Sequence, residues 1–381
     1  MDSGTTITPV SRPDDMITSV AQPDTAPGAP SARVRRRAVV NLRDARPAWE
    51  IPGWAREAIA AAFPKDWDIV FVETLVDASA GGGDGAGVSP EAIEAAAGTE
   101  VYLGFGAPRE VLLAGTAREP RLRWMHTGTA GVASLLYPEM LQSDVVLTNS
   151  AGIHAPAMAE TVLGMILHFA RGLDHAVRAQ AVRRWDPDPF SNRPGAIAEV
   201  DGATLGILGL GGTGLELARR ARALGMNVIA LRRSGRPAPV AIELVTGPGA
   251  LPRLLASSDY VVLALPSTPA TRGILDAPAI AAIKPGAVVI NVARGDVLDE
   301  DALIRALASG ALRGAGLDVF REEPLPSDSP LWQLPNVLIT PHVSATTSRF
   351  WTRQVDLIRD NVGRYLSGRA LRNVVDKKRG Y

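Results

Sequence analysis

Polar residues late in the chain have the types and placement that carbonyl chemistry needs. Arg294 follows the apolar run Ala287-Val288-Val289-Ile290-Asn291-Val292. Glu322 and Glu323 stand between Gly314-Ala315-Gly316-Leu317-Asp318-Val319-Phe320 and Pro324, and His342 closes Val337-Leu338-Ile339-Thr340-Pro341. A carbonyl that takes up a hydride becomes an alkoxide and needs a proton, which a histidine titrating near neutrality is suited to give. A carboxylate bonded to that imidazole fixes its orientation and favours its charged form. An arginine grips a carboxylate with two parallel bonds while polarising a neighbouring carbonyl. Each group alone also reads as structure: an Arg-Gly turn, a solvated acidic pair, a satisfied polar histidine. What groups them is their common position just past the ends of three short apolar runs.

Those runs read as strands of one sheet, and the stretch that organises it lies earlier. Leu205, Ile207 and Leu208 form a buried-strand pattern, Gly209, Gly211 and Gly214 form G-x-G-x-x-G with Gly212 and Thr213 inside it, and helical spacing follows. The first glycine permits a tight turn, the second lets the backbone approach a diphosphate, and the third lets helix and strand pack closely. The diphosphate would rest on the helix's free N–H groups. The next strand, Met226 to Leu231, ends where an acidic residue would grip a ribose 2′-hydroxyl, but Arg232 stands there with Arg233, Ser234 and Arg236 beyond. Guanidinium groups and a hydroxyl suit a 2′-phosphate, which an acid would repel, so NADP(H) is expected over NAD(H), with NAD(H) still possible. A solvated basic loop is the structural alternative.

Strand and helix patterns alternate along the rest of the chain, implying parallel sheets covered on both faces. Strands are expected at Ala38–Leu42, Trp67–Val72, Val101–Leu103, Leu122–His126, Val145–Thr148 and Tyr260–Leu265, and helices at Trp54–Phe63, Pro90–Ala97, Ala155–Arg171, Asp299–Ala308 and Phe350–Leu366. The Ala155 helix is apolar enough to pack between layers or subunits. Trp185 to Gly195, with three prolines, reads as a linker rather than a helix, and Gly81 to Gly85 as a loop. The small-residue loop Thr127-Gly128-Thr129-Ala130-Gly131-Val132 follows a strand, where bare N–H groups can receive a carboxylate or simply turn the chain.

With 381 residues the chain has room for two cores. Its 40 basic and 40 acidic side chains balance, so no global field favours nucleic acid or an anionic membrane. No cysteine is present, which excludes disulfides, thiolate metal sites and a cysteine nucleophile. No histidine or acid cluster has metal-ligand spacing; His168 reads as structural, and His126, His154 and His175 stay unassigned. Residues 1–37, rich in Ser, Thr, Pro and Asp and ending in Arg33-Val34-Arg35-Arg36-Arg37, read as a disordered tail without a secretory pattern, and a cytoplasmic location is the default expectation.

From the Thr127 loop through GILGLGGTG, ALPSTPATRGIL, INVARGDVLDEDAL, GAGLDVFREEPLP and LITPHVS, the chain resembles the D-isomer-specific 2-hydroxyacid dehydrogenases. The resemblance implies an α/β protein of two doubly wound parallel-sheet domains, a Rossmann cofactor domain inserted in a flavodoxin-like substrate domain. By it, residues 38–152 form the substrate domain, 153–345 the cofactor domain, and 346–381 return to the first, with catalysis in the cleft between them. It also implies roles: Arg294 as substrate clamp, His342 as acid/base, Glu323 as its partner with Glu322 as rival, and Asp318 on the nicotinamide carboxamide. Pro266 and Ala293 would line the cofactor, and the backbone of Ala130 and Gly131 would cradle the substrate carboxylate. Arg232 resembles the NADPH-using glyoxylate and hydroxypyruvate reductase branch, whereas Ala133 departs from the aspartate many members carry. Homodimers are common in the family, which the Ala155 helix suits. Glu323 disfavours formate dehydrogenases, which usually have glutamine there, and the lack of a regulatory domain after the last helix disfavours phosphoglycerate oxidation, although short members lack one too. A nucleotide-sensing interaction protein of corepressor type is the rival from another class.

Overall fold

Among the described residues, twelve short apolar runs pair into two sheets, and every pairing is parallel. The computed structural model describes residues 35–74, 88–192, 197–233 and 237–380, so the first 34 residues, the Gly81 loop and Ser234 lie outside it. The first sheet holds β1 (Arg37–Asn41), β2 (Asp68–Phe71), β3 (Val101–Gly104), β4 (Trp124–Thr127) and β5 (Val146–Thr148) in the order β2-β1-β3-β4-β5. The second holds β6 (Thr204–Leu208), β7 (Asn227–Leu231), β8 (Glu243–Val245), β9 (Tyr260–Leu263), β10 (Val288–Asn291), β11 (Gly314–Leu317) and β12 (Val337–Ile339), ordered β12-β11-β10-β9-β6-β7-β8. β3, β4, β9, β10 and β11 are buried at every residue, as strands covered by helices on both faces must be.

Register in the second sheet decides what its edge can do. Leu231, Leu208, Leu263, Asn291, Leu317 and Ile339 form one row across six strands. The residues that follow them, Arg232, Gly209, Ala264, Val292, Asp318 and Thr340, therefore leave the sheet along a single edge. Strand order reverses between β6 and β9, so the glycine turn after β6 opens at the switch point where open α/β sheets bind ligands.

The long helix Ala155–Ala170 packs between layers of its own chain: Ala159, Val162, Met165, Ile166 and Phe169 share a core with Leu205, Ile207, Leu217 and Ile290. The helix Phe350–Leu366 crosses back, its Phe350, Trp351, Val355 and Ile358 joining Val40, Leu103 and Trp124 of the first sheet. The two chain crossings touch, His154 Nδ1 lying 3.3 Å from the Ala345 carbonyl and the Arg353 guanidinium donating to the Ile153 carbonyl at 3.1 Å.

Two local expectations need correction. Arg36 and Arg37 do not belong to a tail: Arg37 begins β1 and pairs with Asp68, while Arg36 pairs with Glu100 and covers the Trp67 ring. The proline-rich stretch after Trp185 contains one helical turn, Asp188–Ser191, because Pro189 sits in its first turn, where a missing N–H costs nothing.

His126, unassigned from sequence, is wholly buried between the first sheet and the returning helix. The Gln354 amide N–H2 donates to its Nε2 at 2.9 Å, which leaves the proton on Nδ1, facing the Thr148 hydroxyl at 2.9 Å. Burial pushes its pKa from the ordinary 6.5 down to about 3. The unfolded chain binds this proton first, so folding stability should fall as pH drops from about 6.5 toward 3. Urea unfolding at pH 7 and pH 5 should show that loss, and His126→Gln, though less stable at pH 7, should flatten it.

Candidate active site

The glycine turn meets each requirement its spacing set. Gly209 has φ +102°, and a Cβ there would fall 2.6 Å from the Ala264 carbonyl oxygen. At Gly214 a Cβ would lie 2.1 Å from the Gly209 carbonyl oxygen, so only glycine lets the helix Gly212–Ala223 start so close to β6. Around Gly211 a Cβ would meet nothing within 4 Å, leaving open space before a helix N-terminus that no side chain caps. That combination suits a diphosphate. Gly212 lies against Gly152 of the interdomain crossing, and the Thr213 hydroxyl faces the Met158 sulfur at 3.5 Å.

At the end of β7 the Leu231 carbonyl accepts from the Gly209 N–H at 3.1 Å, which brings Arg232 beside the turn. Arg232 is half-buried and Arg233 exposed. On the other side, the Pro266 carbonyl accepts from the Thr271 hydroxyl at 2.6 Å, and the buried Ala293 N–H donates to Asn291 Oδ1 at 3.0 Å.

Asn291, which sequence reasoning passed over, shapes the arginine turn. It is fully buried at the last position of β10, and its Nδ2 also donates to the Arg294 carbonyl at 2.9 Å. An amide at a strand end that both donates and accepts locally is the Asx signal that could have found it. Arg294 donates to the Ala293 carbonyl at 2.8 Å and ion-pairs with no carboxylate among the described residues.

The histidine and its acid meet directly. His342 Nδ1 lies 2.7 Å from Glu323 Oε2, and Glu323 Oε1 accepts from the Phe320 N–H at 3.0 Å. Glu322 makes neither contact. With Nδ1 engaged, Nε2 is left without a partner among the described residues. Partial burial works to raise the Glu323 pKa, but the bonds from His342 and Phe320 and the charges of His342 and Arg294 outweigh it, so the carboxyl is held below its ordinary range. Gly295, next to Arg294, packs against the Phe320 backbone, whose N–H bonds Glu323, so the arginine turn adjoins the loop that carries the acid.

Asp318 follows the last residue of β11 on the same sheet edge. It is wholly buried, its Oδ1 accepting from the Thr340 hydroxyl at 2.6 Å and the Val343 N–H at 2.9 Å, its Oδ2 from the Ser344 N–H at 3.0 Å. In the first domain, the Ala130 carbonyl accepts from Asn149 Nδ2 at 2.8 Å and the Gly131 carbonyl from the Thr129 hydroxyl at 3.0 Å. The N–H groups of Ala130 and Gly131 donate to nothing among the described residues, and Ala133 opens a short 3₁₀ turn ending at Leu135. His168 packs edge-on against Phe169, His175 contacts Arg178, and among the described residues no cluster could hold a metal ion. Nor, among them, is any helix long and apolar enough to cross a membrane.

Known proteins share this chain's sequence pattern and fold. Residues 163–344 match the sequence family described as the D-isomer specific 2-hydroxyacid dehydrogenase, NAD binding domain. Glyoxylate/hydroxypyruvate reductase B of Pectobacterium atrosepticum is 35% identical over 258 residues, covering 68% of this chain and 80% of that protein. D-3-phosphoglycerate dehydrogenase of Methanocaldococcus jannaschii is 33% identical over 67% of this chain, which spans only 48% of that relative. Among solved structures, a D-isomer specific 2-hydroxyacid dehydrogenase from Xanthobacter autotrophicus Py2, in complex with NADPH and MES, superposes with a TM-score of 0.72 at 32% identity, covering 91% of this chain and 100% of the other.

Proposed function

Because this chain belongs to the D-isomer specific 2-hydroxyacid dehydrogenase family, we propose that it reduces a small 2-oxo acid, glyoxylate or hydroxypyruvate, to the D-2-hydroxy acid with NADPH. The observation that carries this reading is the Glu323–His342 pair beside Arg294, on the sheet edge from which the glycine turn also leaves. NADPH, when bound, supplies the hydride. The backbone of Gly211, Gly212 and Thr213 would hold its diphosphate, with Arg232 and Arg233 toward the 2′-phosphate and Pro266 and Ala293 along the nicotinamide side. Arg294 clamps the substrate carboxylate together with the Ala130 and Gly131 N–H groups, and it polarises the C2 carbonyl. His342 delivers the Nε2 proton to the oxygen as C2 is reduced, while Glu323 fixes the ring through Nδ1. In the oxidative direction the same nitrogen is the base.

A second copy of the chain is the proposed partner. The long Ala155 helix is spent on its own core, but Leu173, Val177, Val182 and Trp185 just beyond it are exposed, Trp185 at 95%. This run, rather than the long helix, suits a dimer face.

A panel of 2-oxo acids assayed with NADPH and NADH tests the reading. Turnover of glyoxylate or hydroxypyruvate with a clear NADPH preference is expected. Arg232→Asp should cut the NADPH/NADH ratio of kcat/KM by about 10- to 100-fold, the worth of one charge-assisted hydrogen bond. No turnover on any 2-oxo acid, together with cofactor-dependent binding of a protein partner, would favour the corepressor-type rival.

A further inference from the structure

The two N–H groups assigned to the substrate carboxylate are aimed by residues outside their own loop. In a trans peptide the carbonyl and the following N–H point in opposite directions, so a bond that fixes one fixes the other. The Thr129 carbonyl, which shares its peptide with the Ala130 N–H, accepts from the Ser150 N–H at 2.9 Å. The Ala130 carbonyl, which shares its peptide with the Gly131 N–H, accepts from Asn149 Nδ2 at 2.8 Å. Asn149 and Ser150 follow β5 at the start of the crossing to the second domain, and both are buried. They hold the back of both peptides, so the Ala130 and Gly131 N–H groups turn away from the crossing.

Asn149 is itself clamped. Its Oδ1 accepts from the Ala151 N–H at 3.1 Å, which leaves Nδ2 as the atom facing Ala130. Asn373, in the segment after the helix Phe350–Leu366, grips the same residue along its backbone. The Asn373 carbonyl accepts from the Asn149 N–H at 3.1 Å, and its Nδ2 donates to the Asn149 and Ala151 carbonyls at 3.2 and 2.8 Å. Asn373 has φ +54°, a left-handed conformation that asparagine tolerates better than most residues. A bridge between Thr148 and Val374, and a 2.9 Å bond from the Val375 N–H to the Leu147 carbonyl, lay this segment antiparallel along β5.

We infer that Asn149 is a positioning residue that aims the carboxylate-binding N–H groups, and that Asn373 holds it in place. Asn149 acts through the Ala130–Gly131 peptide. The role rests on the proposed reduction of a 2-oxo acid, whose carboxylate those N–H groups would bind. Without the Asn149 amide that peptide is free to turn, and a charge-assisted bond to the carboxylate is lost. The carboxylate is held alike before and during hydride transfer, so the loss falls on KM rather than on kcat.

Asn149→Ala removes the donor. Asn373→Gly removes the side-chain clamp but keeps a residue at ease with positive φ, should the first variant fail to fold. With NADPH saturating, KM for glyoxylate should rise about 10- to 100-fold in Asn149→Ala, the cost of one hydrogen bond to a charged group, and by a smaller factor in Asn373→Gly. In both, kcat should stay within about threefold of wild type, and calorimetric affinity for NADP⁺ should be unchanged. Oxalate titrated into the wild-type NADP⁺ complex should shift the Ala130 and Gly131 amide resonances, and it should bind Asn149→Ala more weakly by the factor seen in KM. A fall in kcat with KM unchanged, or wild-type oxalate affinity in the folded variants, would overturn the inference. Oxalate that left those two resonances unmoved in the wild-type protein would overturn it too. If the wild-type protein turned over no 2-oxo acid while oxalate affinity fell as expected in the variants, the proposed reduction would fail and the positioning role would stand.

Discussion

His342→Asn should bind NADP⁺ like the wild-type protein and lose about 10² to 10⁴ in kcat, the usual contribution of a positioned proton donor. Asparagine is the informative replacement because it tolerates the left-handed backbone that position 342 adopts, so the turn keeps its shape while the proton source disappears. KM for the 2-oxo acid should change little, since Arg294, not the imidazole, is assigned to the substrate carboxylate. A fall in kcat and kcat/KM together is the signature of an interaction made only in the transition state. Glu323→Gln should fall between this variant and wild type, because an amide can still accept from Nδ1 but carries no charge. The pH profile carries a related sign. Glu323 is held below the ordinary carboxylate range, so its bond to His342 persists down past that range and is lost only as the pH falls through the lowered value. Stopped-flow or steady-state rates for the two variants across pH check both statements, and a His342→Asn enzyme with undiminished turnover would remove the imidazole from the mechanism.

The sequence showed much of this site because strand ends are chemically legible. Apolar runs stop along one edge of the second sheet, and a few residues past the ends of β10, β11 and β12 stand Arg294, Glu323 and His342. The glycine pattern was readable too, since close backbone contacts require glycine at Gly209 and Gly214, while Gly211 faces open space. Of the two adjacent acids the resemblance named Glu323 over Glu322, and the loop after Phe320 does present Glu323 to the imidazole. Sequence order could not reveal that the Asp318 carboxylate turns inward, because its three donors lie 22 to 26 residues away on the next strand's exit. The elements it missed were short or weakly patterned. β8 has three residues at the sheet edge, too few to show a period, and the helix Leu173–Ala181 is only nine residues long with Asp174 buried. Its apolar Leu173 and Val177 face outward, where the proposed dimer face lies.

Gly295→Ala tests why the arginine must be followed by glycine. A Cβ at Gly295 would sit 1.9 Å from the carbonyl carbon and oxygen of Phe320 and 2.3 Å from the Arg321 nitrogen, all backbone atoms that no rotamer change can move aside. The turn after β10 and the turn after β11 are therefore pressed together at the one residue that allows it. That closeness sets the Arg294 turn beside the loop that holds Glu323, which in turn holds the imidazole. One added methyl must separate the two strand exits, costing about 1 to 3 kcal/mol or more in stability as overpacking and about 10²-fold in kcat as misalignment. Gly211→Ala supplies the contrast. Its Cβ would meet no protein atom within 4 Å and its backbone is not left-handed, so the melting temperature should hold while affinity for NADP⁺ drops, because the methyl would occupy the space proposed for the diphosphate. Melting curves, NADP⁺ titrations and kcat for the two variants should thus separate a glycine required by the protein's own backbone from one required by its ligand; a stable, fully active Gly295→Ala enzyme would show that Arg294 and Glu323 need no such approach.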